Sequence, residues 1–254
     1  MIIHIPVEED VYQADLSKGI DLSLPISDQK KGPNCFGASR PDFSPMKGDG
    51  WIAKVDEGGS VNAMEVSFNP HGNGTHTECL GHISEGRRHL TEHMEDDFLW
   101  ARVTTAKTKG GGPISPEDIS GMDQLSFETA IIIRTLPNDE AKKEMDYTNT
   151  NPSYLSVEVV RALVEKGVKH LLIDLPSVDA EDDGGALSAH KAWWNWPTYE
   201  GREECTITEM VFVPDFVEDG RYVLNLQRAS FDLDCAPSRP VIFAASKKEI
   251  RKTS

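Results

Sequence analysis

The chain has 254 residues, with 42 acidic against 26 basic side chains and a formal net charge of −16. That balance argues against a nucleic-acid partner, since phosphate binding needs a basic surface. No apolar run approaches the roughly 20 residues needed to span a bilayer, which argues against a membrane.

The amino-terminal stretch MIIHIPVEEDVYQ turns acidic at once and has no basic start or long apolar core. It does not read as a secretory signal, and a cytoplasmic location is expected. The length supports a substantial core. With no internal repeat and no long linker, residues 1–254 are expected to form one domain. Cys35, Cys79, Cys205 and Cys235 are far apart and form no C-x-x-C pair. They are expected to be reduced thiols rather than a disulfide framework.

In chain order, Ile20, Leu22 and Leu24 alternate with polar positions and predict a strand over 19–26. Residues 28–50, rich in Gly, Pro, Lys and Asp, read as a long irregular segment. Residues 51–55 and 61–68 predict a strand pair around the turn at 57–60. The second strand runs into His71-Gly72-Asn73-Gly74-Thr75-His76-Thr77-Glu78-Cys79-Leu80-Gly81-His82. Three histidines and a carboxylate within twelve residues suit Zn, Mn or Fe. In an extended chain His76 and Glu78 share a face, because strand side chains alternate. His71 has the opposite parity, so a turn must re-aim it, and Gly72-Asn73-Gly74 has the chemistry for one. His82 returns either as a further ligand or as a proton shuttle. Cys79 is expected to be a small buried side chain beside the site.

Next, His89-Leu90-Thr91-Glu92-His93 matches the H-x-x-E-H pattern of inverted zinc peptidases. The match is short, and its flanks favour a solvated helical turn. A strand is predicted over 100–105, breakers over 107–118, and a strand covered on both faces over 129–136. Residues 137–153 read as a polar surface insertion. A helix capped by Ser156 and closed near Gly167 carries Val157, Val160, Leu163, Val164 and Val168 on one stripe.

The strand over 170–176 then ends at a polar mouth of Ser177, Asp179, Asp182 and Asp183, followed by His190. Strand–helix–strand order suits a parallel crossover, whose strand ends collect α/β sites. Trp193, Trp194, Trp196 and Tyr199 either line a pocket or pack a core. Glu209 sits amid apolar neighbours in 206–213, where a carboxylate is costly unless paired or bound to a metal. Strands over 221–227 and 240–245 and a frayed charged tail close the chain.

The histidine cluster resembles the H-x-G-T-H-x-D-x-P-x-H signature of the metal-dependent cyclase family of kynurenine formamidase-like and isatin hydrolase-like enzymes. The likeness extends along the chain. Ile20-Asp21-Leu22-Ser23 is similar to the family's opening strand, and Ile173-Asp174-Leu175-Pro176-Ser177-Val178-Asp179 to its I-D-T-P-S-V-D segment. Leu187-Ser188-Ala189-His190 is similar to its L-P-A-H, and Gly220-Arg221-Tyr222 to its G-R-Y.

The resemblance implies an α/β fold of the swivelling β/β/α type, with a mixed central sheet and flanking helices, assembled as a homodimer or homotetramer. It implies one or two Zn or Mn ions on His71, His76, Glu78, His190 and Glu209, with Glu78 as a bridge, and catalytic roles for His82 and Glu209. The implied activity is hydrolysis of a C–N bond in a small amide, formamide or lactam by metal-bound hydroxide. A metal-dependent cyclase or dehydratase and a non-catalytic metal-binding homologue are the alternatives.

The chain departs from the family pattern in four places. His71 and His76 are five apart rather than four, Glu78 replaces Asp, and Leu80 or Gly81 replaces Pro. The gap from His190 to Glu209 is also longer, through the insertion that carries the tryptophans.

Overall fold

The computed structural model describes residues 1–29, 31–92 and 97–248. The strands in the first half are β1 (Ile2–Val7), β2 (Asp10–Asp15), β3 (Ile20–Asp21), β4 (Asp42–Pro45), β5 (Lys47–Gly48), β6 (Trp51–Ile52), β7 (Met64–Ser67) and β8 (His76–Glu78). There follow β9 (Phe98–Lys107), β10 (Gly112–Ile114), β11 (Ala130–Leu136), β12 (Ser153–Leu155), β13 (His170–Ile173), β14 (Thr206–Glu209), β15 (Gly220–Arg228) and β16 (Cys235–Lys247). The α-helices are α1 (Val157–Glu165) and α2 (Ser188–Trp193).

Seven strands close on themselves in the order β16-β15-β9-β11-β13-β14-β8, and β8 returns to β16. The run β9-β11-β13-β14 is parallel and the remaining pairings are antiparallel, so the sheet is mixed. Closure removes the exposed edges that an open sheet leaves. The β1–β2 hairpin extends the sheet from the far end of β16.

Period-two alternation sorts the apolar side chains between two cores. Ile131 and Ile133 of β11 join Leu171, Ile173 and Ile207 beneath α1 and α2. Ala130 and Ile132 face the other way, into the enclosed interior with Leu22, Leu172, Leu224 and Ile242. A closed sheet covers its own inner face, and only the outer face needs helices. Among the described residues the helical layer is therefore just these two short α-helices, less than the expected flanking layers.

Helix α1 begins where the sequence places it: Ser156 Oγ accepts a hydrogen bond from the Val159 amide at 3.4 Å, and Gly167 has φ +78°. Its buried stripe includes Val159 as well as Val160 and Leu163, while Val157 and Val164 are only half-buried.

The predicted pair over 51–55 and 61–68 does not form. Instead β6 pairs with β5, and β7 pairs with β4, both partners lying in the stretch read as irregular. A 3-10 turn at Val55–Glu57 ends on Gly58 at φ +90°, and the Asn62 side chain takes the Val55 amide. These contacts curl residues 53–63 into a loop that uses up the backbone groups a hairpin would need.

Two other strands are shorter than predicted. Pairing at the chain start ends at Asp21, although Leu22 and Leu24 stay buried. After Glu209, Met210 takes φ +52° and turns the chain out of the sheet. Positive φ is uncommon for a non-glycine side chain. The breaker cluster contains β10, which pairs in parallel with β12. The stretch 137–153 is not wholly surface, since Tyr147 is buried. No helix of the described residues is long and apolar enough to cross a membrane. The tail from 249 lies outside the described residues.

His170 at the start of β13 is buried, with Nδ1 3.0 Å from Thr206 Oγ1. Burial, with Lys169 and Arg202 nearby, pushes its pKa from 6.5 down to about 4. Between those values the unfolded chain holds a proton that the folded chain does not. The neutral ring's contribution is therefore complete above pH 6.5 and is lost as pH falls toward 4. Urea unfolding from pH 7 to pH 4.5 should cost the wild type about 2–3 kcal/mol more than His170→Gln. Parallel pH profiles for the two proteins would contradict this.

Candidate metal centre

The histidine cluster is shaped by a turn held by side chains. Asn69 Oδ1 accepts from the amides of His71 and Gly72, both at 3.0 Å, and Asn73 Oδ1 accepts from the Asn69 amide at 2.8 Å. A Cβ on Gly72 would come within 2.4 Å of Ala38 Cβ, and Gly74 takes φ +76°. This is the re-aiming that the parity of His71 requires. Thr75 then fastens the end of the turn: its hydroxyl donates to Met210 O at 2.5 Å and accepts from the Leu24 amide at 2.7 Å.

β8 follows at once and lies between β14 and β16. His76 stands opposite Glu209 and Pro237, and Glu78 stands opposite Ile207 and Cys235. Directly opposed residues share a face of the sheet, so His76, Glu78, Glu209 and Cys235 all point to one side. The chain leaves β8 through Cys79, whose Sγ accepts from the Gly81 amide at 3.4 Å and caps a 3-10 turn at Leu80–His82. That turn brings His82 back over Glu78.

His76 Nδ1 is 3.1 Å from Gly74 O. A carbonyl only accepts, so Nδ1 carries a hydrogen and Nε2 is the nitrogen left facing the site. Nε2 is buried without a hydrogen-bond partner, 3.4 Å from Glu209 Oε2. Glu209 Oε1 is held by the Val178 amide at 3.0 Å. Glu78 Oε2 is a second buried atom without a hydrogen bond, although His71 Nδ1 approaches to 3.2 Å. Glu78 Oε1 lies 3.1 Å from His190 Nε2.

His190 arrives on α2 and is oriented by Asp179. That carboxylate accepts from the amides of Ala189 and His190 in the first turn of α2, and it takes His190 Nδ1 at 2.6 Å. Behind the ring, Trp194 stacks at 6.0 Å and donates Nε1–H to Cys205 O. Trp193 and Trp194 are core residues, whereas Trp196 is half exposed. On the opposite side, His71 Nε2 bonds Asp234 Oδ2 at 2.9 Å, and His82 Nδ1 lies 3.5 Å from the same oxygen.

Buried carboxylates and imidazoles at this density shift one another. Burial alone would raise Glu78, but His82, His190 and His71 hold it well below the usual carboxylate range. Burial would lower His190, yet Asp179 and Glu78 lift it to about 10. Hydrogen bonds from His71 and His82 depress Asp234. Burial pushes the Cys235 thiol up to about 12. Protons here sit where a cation's charge would serve the same carboxylates.

Three sets of ligand atoms, each within 4.8 Å of one another, could hold an ion: His76, Glu78 and Glu209; His71, Glu78 and His82; and His71, His76 and Cys235. Two unpartnered buried donor atoms, imidazole and carboxylate chemistry and an Asp-oriented histidine fit a Zn- or Mn-class cation.

All six residues singled out from sequence as ligands or catalysts, His71, His76, Glu78, His82, His190 and Glu209, converge in the structure. Asp234 and Cys235 were missed, because the closing strand was expected to begin at Pro240. Residues 235–240 (CAPSRP) show no period-two alternation that would have extended the strand back. His89, from the peptidase-like motif, pairs with exposed Asp232 and opens a 3-10 turn at Leu90–Glu92. His93 of that motif lies outside the described residues.

A family model described as "Putative cyclase" matches residues 20–180, more than half of the chain. The chain belongs to this cyclase family. A kynurenine formamidase of Bacillus anthracis is 26% identical over 231 residues, covering 89% of this chain and 97% of that protein. A solved structure described as a "potential metal-dependent hydrolase with cyclase activity" is 19% identical with a TM-score of 0.64, over 89% of this chain and 97% of that one. Isatin hydrolase A from Labrenzia aggregata is 14% identical with a TM-score of 0.65, over 89% and 93%.

Asp179→Asn should weaken zinc binding about 10–100-fold, because it removes the partner that orients His190. Competition against a chromogenic chelator measures this, and unchanged affinity would show that the Asp179–His190 pair does not serve a metal.

Proposed function

We propose that this chain is a metal-dependent hydrolase of a C–N bond in a small amide, formamide or lactam, similar in activity to the arylformamidases. The observation that carries the reading is the pair of buried atoms without hydrogen bonds, His76 Nε2 and Glu78 Oε2, facing one space beside Glu209. The kynurenine formamidase and isatin hydrolase relatives point to the same bond class.

His71, His76, Glu78, His190 and Glu209 would hold the cation, Zn or Mn, one or two per chain. Such an ion lowers the pKa of water toward about 7 and polarises a carbonyl oxygen. Glu209, with Oε1 tied to a backbone amide, keeps Oε2 turned into the site to orient water as well as to bind. His82, like His71, is half-exposed, and its ring stands 4.4 Å from that of His71 and 5.3 Å from that of His190. It takes a proton from the attacking water and returns it to the leaving nitrogen, as imidazole does near neutral pH. Asp234 positions it. A cleft of about 190 Å³ lined by Gly81, Arg87, Arg88, His89, Leu233 and Asp234 reaches the site only through Asp234.

His82→Ala should lower kcat on an N-formyl aromatic amine or a cyclic imide by about 10²–10⁴-fold while metal content stays unchanged. Loss of metal would make His82 a ligand, and unchanged turnover would remove it from the chemistry. Because the ligands must be deprotonated, activity should fall in acid together with bound metal.

The assembly proposed is a homodimer or homotetramer. Trp51, Val61, Met64 and Val66 lie exposed around β6 and β7, where apolar surface suits a subunit contact. Light scattering should give a multiple of the 28.1 kDa chain mass, and a monomeric mass would overturn the assembly.

A further inference from the structure

Among the donors in this site, one differs in kind from the rest. Cys235 is the first residue of β16 and stands opposite Glu78 in the antiparallel β8–β16 pairing. That register turns its side chain to the face that carries His76 and Glu78. It is almost fully buried and forms no disulfide. Its sulfur and single ligand atoms of His71 and His76 lie within 4.8 Å of one another. The available atom of His76 is Nε2, since Nδ1 is committed to Gly74 O, and that Nε2 has no hydrogen-bond partner.

The other thiols have different employment. Cys79 Sγ caps the turn at Leu80–His82, Cys35 Sγ donates toward the carbonyls of His71 and Gly72, and Cys205 sits in the apolar core beneath the helices.

Resting on the reading that this site holds a cation, we propose that Cys235 is a metal ligand. With His71 and His76 it makes a two-imidazole, one-thiolate position beside the oxygen-rich position formed by His76, Glu78 and Glu209. Thiolate is a soft donor, so this position selects a Zn-class ion over Mn or Mg, which prefer oxygen. Ligation replaces the thiol proton by the metal and releases that proton to solvent. His76 Nε2 has one lone pair, so an ion held with Cys235 and an ion held with Glu78 and Glu209 compete for the same nitrogen.

Cobalt(II) reports sulfur ligation by absorption, independently of turnover. The metal-free full-length protein is titrated with Co(II), and the wild type should show both visible d–d bands and a near-ultraviolet sulfur-to-cobalt charge-transfer band. Cys235→Ser should keep the visible bands and lose the near-ultraviolet one, while Cys79→Ser keeps both. In zinc–manganese competition, Cys235→Ser should reduce the preference for zinc by about tenfold or more.

Visible bands without the charge-transfer band in the wild type would overturn the cysteine assignment and leave the proposed hydrolase site standing. Survival of the band in Cys235→Ser would do the same. No cobalt binding at all would overturn both.

Discussion

The structure depends on the three-residue strand β8 being gripped from both sides. Its pairing with β14 and with β16 closes the sheet, and the same pairings set His76 against Glu209 and Glu78 against Cys235. Closure and site assembly are therefore one event. A slip of one residue in either register would turn His76 and Glu78 to the opposite face and scatter the donors. The neighbouring contacts guard against that slip. Thr75 is tied to both Leu24 and Met210, and the Cys79 amide is held by Asp234 O.

The site also concentrates groups that are unfavourable to bury. Glu78, Glu209 and Asp179 are all removed from water, and an unpaired buried carboxylate costs several kcal/mol. Each is compensated differently. Glu209 and Asp179 use backbone amides, and Asp179 also takes an imidazole. Glu78 depends on surrounding histidines and keeps one oxygen without a hydrogen bond. An arrangement satisfied by its own protein groups would not leave that oxygen and His76 Nε2 unmatched in one space. The same low-dielectric surroundings that make these groups costly strengthen their attraction to a cation.

Much of this was legible in the chain because the relevant signals are local. Alternation puts His76 and Glu78 on one face, Gly72-Asn73-Gly74 marks the turn before them, and Ser156 with Gly167 brackets a helix. Glu209 stood out as a charge in an apolar strand. What could not be read required knowing which strands meet. Residues 51–55 look like a partner for 61–68, but each pairs with a neighbour in a segment whose composition suggested only a loop. Asp234 and Cys235 carry no signal by themselves and gain meaning only from the β8–β16 register. The thin helical layer is likewise a consequence of closure, which no single segment encodes. Trp193 and Trp194 proved to be core, with Trp194 stacked on His190, whereas Trp196 stays half exposed.

Placing the cation directly is the most searching test. Anomalous diffraction from crystals grown with zinc, collected on either side of the zinc absorption edge, locates the ion without reference to activity. The account predicts a peak about 2.0–2.2 Å from both His76 Nε2 and a Glu78 carboxylate oxygen. A fully active crystal with no peak there, and His76 Nε2 instead hydrogen-bonded to Glu209, would contradict it.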